Sequence, residues 1–303
     1  MNASFLRLAP MTLALLLGAR AAALAADAPL YLGVLEPVQT DVEGQKHPTA
    51  YMARAAFVRE DGEWRPLPIG AEDLAGQLRL ADRYPASLHW TAAFDGKARG
   101  DFDSVRPAQW GYDAHTGLYQ PDPTRPIALA QDGAKDFFYW EGPSTFRPLV
   151  LVSSANVADP DGWKPWKPTG AEQAKYYSAF RLAVGTVAFT CGGEGVATYP
   201  DRKIVVDKAY RSRAGTRLIG LRIDPHATKC DEMPEENWSN QWFLDDGKTV
   251  RFVSSSLALI DAGDYDGDGG SEVVFLKTGY DYDAYILLYA RLAKQAEFGW
   301  TYH

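Results

Sequence analysis

Asp264-Tyr-Asp266-Gly-Asp268-Gly269-Gly270-Ser-Glu272 sets four carboxylates on one short loop punctuated by glycine. Hard cations take six to eight oxygens, and alternate residues of a tight turn can aim several carboxylates at one point. Asp264, Asp266, Asp268 and Glu272 are the expected side-chain ligands, the carbonyl of Gly270 at loop position seven the expected backbone ligand, and water the rest of the shell. Carboxylates so close repel one another strongly unless a cation neutralises them. Calcium is preferred over magnesium, which wants a smaller octahedral site and keeps more of its waters. The role expected for it is structural, since an ion that binds only the folded chain stabilises it by mass action.

The elements that must hold this loop are not the helices of an EF-hand. That motif needs a bidentate Glu at position twelve, where this chain has Phe275. Apolar runs at 257–260 and 273–276 bracket the loop, and their β-branched and aromatic content predicts strands. The stretch 257–289 resembles the cation loop of FG-GAP and VCBS repeats. That resemblance rests on a single copy and covers about a tenth of the chain. It implies a β-propeller blade around a calcium site. The alternative use of D-G and G-G pairs is an acidic solvated hairpin turn.

Other catalytic constellations are missing from the sequence. The five histidines, His47, His89, His115, His226 and His303, are scattered outside any H-E-x-x-H pattern. No G-x-S-x-G elbow occurs, and Ser153-Ser154 and 254–256 are expected at strand ends. The Gly-rich 191–195 lacks the lysine of a phosphate loop. A carboxylate pair of a carbohydrate-active enzyme can be proposed among 39 acidic residues, but spacing alone cannot show its separation. Trp163 and Trp166, with Trp140, are candidates for a sugar-stacking platform, although core packing accounts for most aromatics of a β protein.

Turn residues recur at short intervals, with 27 Gly and 19 Pro. This predicts a mainly β chain with one or two short helices, either β-propeller-like or a multi-sheet β domain. Hairpins are expected at Glu60-Asp61-Gly62, Asp95-Gly96 and Asp245-Asp246-Gly247. Helices are expected over 71–81, with Leu74, Leu78 and Ala81 on one face, and over 171–184 behind a Thr169/Glu172 capping box. The runs 257–260, 273–276 and 284–288 are apolar on consecutive residues, so their strands should be covered on both faces. Asp159-Pro-Asp161-Gly, Asp101-Phe-Asp103 and Asp281-Tyr-Asp283 are read as ordinary turns.

Residues 1–25 carry Arg7, an apolar stretch at 8–17 and the Ala23-Leu24-Ala25 cleavage pattern, which predicts a signal peptide. Its removal takes away Arg7 and Arg20 and moves the formal charge from −8 to −10. So acidic a chain is a poor binder of nucleic acid or anionic membrane, and no later run is long enough to span a bilayer. The expected compartment is periplasmic or secreted. There Cys191 and Cys230 are expected to form a disulfide. The expected organisation is a β-rich region 26–168 and a second one 169–303 carrying the calcium loop, or one continuous domain 26–303. These features point to a non-enzymatic binding or structural module of the cell envelope, with an unknown protein or glycan partner. The alternative is an exported carbohydrate-active enzyme.

Overall fold

A computed structural model describes residues 29–38, 50–70, 74–106, 118–121, 138–139, 142–143, 147–185, 187–190, 196–224, 240–279 and 281–301. The signal-peptide region 1–25, Trp140, Cys191, Cys230 and four of the five histidines lie outside the described residues. Among those described, the first strands are β1 (Leu30–Val38), β2 (Ala50–Glu60), β3 (Glu63–Pro66), β4 (Ser87–Phe94), β5 (Lys97–Val105) and β6 (Leu118–Pro121). Then come β7 (Phe138–Tyr139), β8 (Gly142–Pro143), β9 (Leu149–Val152), β10 (Lys164–Pro165), β11 (Val187–Thr190) and β12 (Val196–Thr198). The chain continues through β13 (Ile204–Arg211), β14 (Arg217–Ile223), β15 (Gln241–Asp245), β16 (Val250–Ser255), β17 (Leu257–Gly263), β18 (Glu272–Thr278), β19 (Tyr282–Tyr289) and β20 (Lys294–Thr301). Two helices interrupt them, α1 (Leu74–Ala81) and α2 (Gly170–Val184).

Three antiparallel sheets dominate. The first has seven strands in the order β1-β9-β4-β5-β6-β2-β3, with β1 also paired to β2 so that the sheet coils back on itself. The second has five, β10-β13-β14-β15-β16, and the third is a four-stranded meander, β17-β18-β19-β20. Two short ribbons, β7-β8 and β11-β12, complete the set. The mainly β expectation therefore holds in its multi-sheet form.

The meander is the middle layer. Ile260, Val274, Leu276, Tyr285, Leu287 and Phe298 join the core of the seven-stranded sheet. Their neighbours in the chain, Val273, Phe275, Ile286 and Leu288, face the opposite way and pack on Leu218, Trp242 and Leu244 of the five-stranded sheet. Strand side chains alternate between faces, so a strand buried on both sides must be apolar at consecutive positions. Helix α2 covers the outer face of the five-stranded sheet with Tyr176 and Phe180, one turn apart, over Ile219, Leu221 and Phe243.

Hairpin chemistry follows the residues. Asp61-Gly62 and Asp95-Gly96 take positive φ at both positions (52° and 78°, 53° and 66°), the backbone a two-residue hairpin demands. The capping box also forms, the Thr169 N–H and hydroxyl donating to the Glu172 carboxylate at 2.9 and 2.8 Å. Two local expectations change. In α1 Leu80 is buried while Leu78 is 61% exposed, because the inward face is set by docking against the seven-stranded sheet. Asp101 and Asp103 lie within β5 instead of a turn, where they bond Thr91 and His89 across the hairpin to β4.

Candidate metal centre

Loop 264–271 connects β17 to β18, closed at its base by the Gly263–Glu272 pair of the ladder. Its carboxylates organise it from within. The Asp266 carboxylate accepts the N–H of Asp268 at 3.0 Å, Asp264 that of Gly269 at 3.1 Å and Asp268 that of Gly270 at 2.8 Å. Asp266 and Asp268 bond the backbone two residues on, as short acidic side chains do in sharp turns, and Asp264 reaches five residues on across the loop. Gly269, at φ 84°, occupies a conformation that favours glycine.

Asp264, Asp266 and Asp268 each bring one oxygen to within 4.8 Å of the other two. At that separation a pair of unit charges costs roughly 3 kcal/mol at an effective dielectric near 20. One counter-charge is in place, Arg59 of β2, whose Nε lies 2.8 Å from Asp266 Oδ2. Asp264 is only 7% exposed, and its Oδ1 is buried with no hydrogen-bond donor within the described residues. A buried acceptor in that condition is costly. Three converging carboxylates, one of which keeps an oxygen without a donor, fit a hard cation whose other ligands are carbonyl and water. The Asp266 pKa is raised from its ordinary value, because the side chain is partly buried and faces the other two aspartates, against the pull of the Asp268 N–H and Arg59.

Glu272 stands outside this trio. Its carboxylate, 1% exposed, accepts the N–H of Tyr265 at 2.8 Å and clamps the base of the loop. Burial first, and then the nearby aspartates, push its pKa up to about 8. Gly270 contributes a buried N–H to the Asp268 carboxylate. The structure thus gathers three of the four carboxylates picked out by spacing and gives the fourth a supporting contact.

A segment remote in sequence braces the loop. Between β9 and β10 the chain passes beneath it, where the Ala158 carbonyl accepts the Asp264 N–H at 2.7 Å and the Asp161 carboxylate accepts the Ser271 N–H at 2.9 Å. The Ser271 hydroxyl donates to Asp159 at 2.6 Å, and that same carboxylate takes the N–H groups of Gly162 and Trp163 at 2.9 and 2.7 Å. Ser154 donates to the Tyr265 carbonyl at 3.1 Å. Asp159-Pro-Asp161-Gly is a turn, and its two carboxylates hold Ser271. Composition marks such a turn but cannot show what it docks on.

Sequence reasoning also missed Asp261, on β17. It is 9% exposed, its Oδ1 accepts the Asp95 N–H at 3.1 Å, and its Oδ2 has no donor within the described residues. Burial raises its pKa to about 6, against the pull of the Asp95 and Ala262 N–H groups and Arg147. No motif contains it; an acid inside the apolar run 257–263 was the available signal. Of the tryptophans singled out, Trp163 borders a cavity between the sheets. Trp166 instead packs edge-on against Tyr176 beneath the Arg217 guanidinium.

No protein-family model matches this sequence, and neither a curated protein nor a solved structure is significantly similar to it.

Proposed function

We propose that this chain is an exported, calcium-stabilised β protein of the cell envelope, periplasmic or secreted, acting as a non-enzymatic binding or structural module of FG-GAP/VCBS type. The carboxylate of buried Asp264, which keeps one oxygen without a donor and is gathered with Asp266 and Asp268 on one loop, carries the reading. Calcium there would neutralise the trio and hold together what the loop joins: the meander, Arg59 of the seven-stranded sheet and the 158–163 segment leading to the five-stranded sheet. The signal-peptide pattern of residues 1–25 supports export.

A hydrolase would use a protonated acid that reaches substrate. Asp261, held up to about 6, is the carboxyl closest to that description and borders the cavity between the sheets, but its Oδ2 is buried and its Oδ1 accepts the Asp95 N–H. This favours binding over turnover.

Metal analysis of the purified chain and thermal melts with calcium or EDTA test the proposal. At a hundredfold excess over Kd, calcium should add about 2.7 kcal/mol, a rise of about 4 °C for a chain of this size. Asp268→Ala, on the exposed tip of the loop, should abolish the rise while folding normally. Superimposable melts and no bound calcium would reject it.

A further inference from the structure

Where the three main sheets meet, β17 forms the floor of an open cavity of about 260 Å³. Its walls come from the seven-stranded sheet at the end of β4, from the 159–165 segment and from β13 of the five-stranded sheet. Two kinds of group line it. Trp163 and Tyr210 offer aromatic rings, the latter stacked on Trp242 at 6.2 Å with an interplanar angle of 13°. Asp159, Asp207, Lys208 and Asn240 offer hydrogen-bonding groups, all half-buried. The Asp207 carboxylate is oriented by Arg222 at 3.2 Å and by Asn240 at 3.3 Å. Trp163 is fixed through its backbone N–H on Asp159, and its indole N–H has no acceptor within the described residues.

We propose that this cavity is a binding site for one sugar ring or a neutral polyol of similar size. The volume lies below the roughly 300–1,000 Å³ of drug-sized pockets, so the ligand is small. Aromatic rings beside fixed polar groups suit a molecule with an apolar C–H face and a polar rim. Hydroxyls can donate to Asp159 and Asp207 and accept from Lys208. Four aspartates, Asp95, Asp159, Asp207 and Asp261, line the cavity against Arg147 and Lys208, which disfavours an anion, and a simple organic cation would accept nothing from Lys208. The inference rests on the binding-module reading and names the ligand class. Asp159 also ties the cavity wall to the cation loop through Ser271, so removal of calcium should weaken ligand binding.

Calorimetry and saturation-transfer NMR on the calcium-loaded chain, with a panel of neutral mono- and disaccharides and with choline as the cationic control, decide the matter. Saturable binding of at least one sugar is expected, weakened tenfold or more by Trp163→Ala and by Asp207→Asn while the calcium-dependent melting shift stays. Should either variant fail to fold, Lys208→Ala makes the same test at a side chain already partly exposed. No sugar bound, sugar affinity unmoved by the folded variants, or variant-sensitive choline binding in place of sugar would each overturn the site. Because calcium is measured separately, a lost sugar site with an intact calcium response condemns this inference alone.

Discussion

Tyr265 sits between two aspartates of the cluster, yet its ring folds back over Gly263, where a Cβ would lie 2.6 Å from the ring, and its hydroxyl ends beside Asp261. Burial, and then the charges of Asp261 and Glu272, hold that phenol far above its usual range. Asp261 is the more informative of the pair. Its folded pKa of about 6 exceeds the ordinary 3.8, so folding favours its protonated form. The stability this supplies is complete below pH 4 and disappears as pH rises through 6, a span worth ~3 kcal/mol. In EDTA, urea denaturation of Asp261→Asn should therefore gain on the native chain by about that amount between pH 4 and 7. A difference constant with pH would mean that Asp261 is not the titrating group. The spacing of the three clustered aspartates could be read from the sequence because the loop is local. The status of Asp261 could not, since the groups that desolvate it come from distant segments.

Helix α2 depends on an acid at the far end of β15. Asp245, fully buried, receives Lys175 and the Tyr176 hydroxyl, each at 2.8 Å, Arg217 at 3.2 Å and the Gly247 N–H at 2.8 Å. Burial alone would raise its pKa, but the bonds from Lys175, Gly247 and Tyr176 outweigh it and leave it lowered. A lowered carboxylate adds stability above the ordinary Asp range and surrenders it as pH falls. Asp245→Asn should lose about 3 kcal/mol at pH 7, the size expected when one partner of a buried ionic network goes, with the deficit shrinking below pH 4. Chemical denaturation at several pH values measures it; an unchanged midpoint at pH 7 would show the network to be incidental. The capping box and the Asp-Gly hairpins were legible because they are closed within four residues of chain. The buried side of α1 was not, since Leu80 rather than Leu78 meets a sheet that propensity does not see.

The seven-stranded sheet and the meander are joined by a buried polar cluster as well as by apolar packing. Arg54, 1% exposed, forms an ion pair with Glu36 and lies 4.1 Å over the Trp300 ring, while the Tyr285 hydroxyl donates to Glu36. Arg54→Ala should cost about 3–5 kcal/mol, because it leaves Glu36 in the inter-sheet core without its guanidinium. Tryptophan fluorescence in urea should show one transition displaced to lower denaturant, since both sheets share that core. A shift below about 1 kcal/mol, or two separated transitions, would contradict so direct a coupling.

By itself the sequence determined what short-range chemistry decides. Alternating aspartates with glycine gather three carboxylates on one loop, Asp-Gly makes a hairpin, and consecutive apolar residues at 273–276 and 284–288 require cover on both faces. The tertiary structure alone decided that two sheets, not helices, supply the cover, that Arg59 and the 158–161 turn brace the loop, and that β17 floors a cavity between three sheets. Those outcomes depend on segments as much as two hundred residues apart, and pairing at that range leaves no local pattern in the chain.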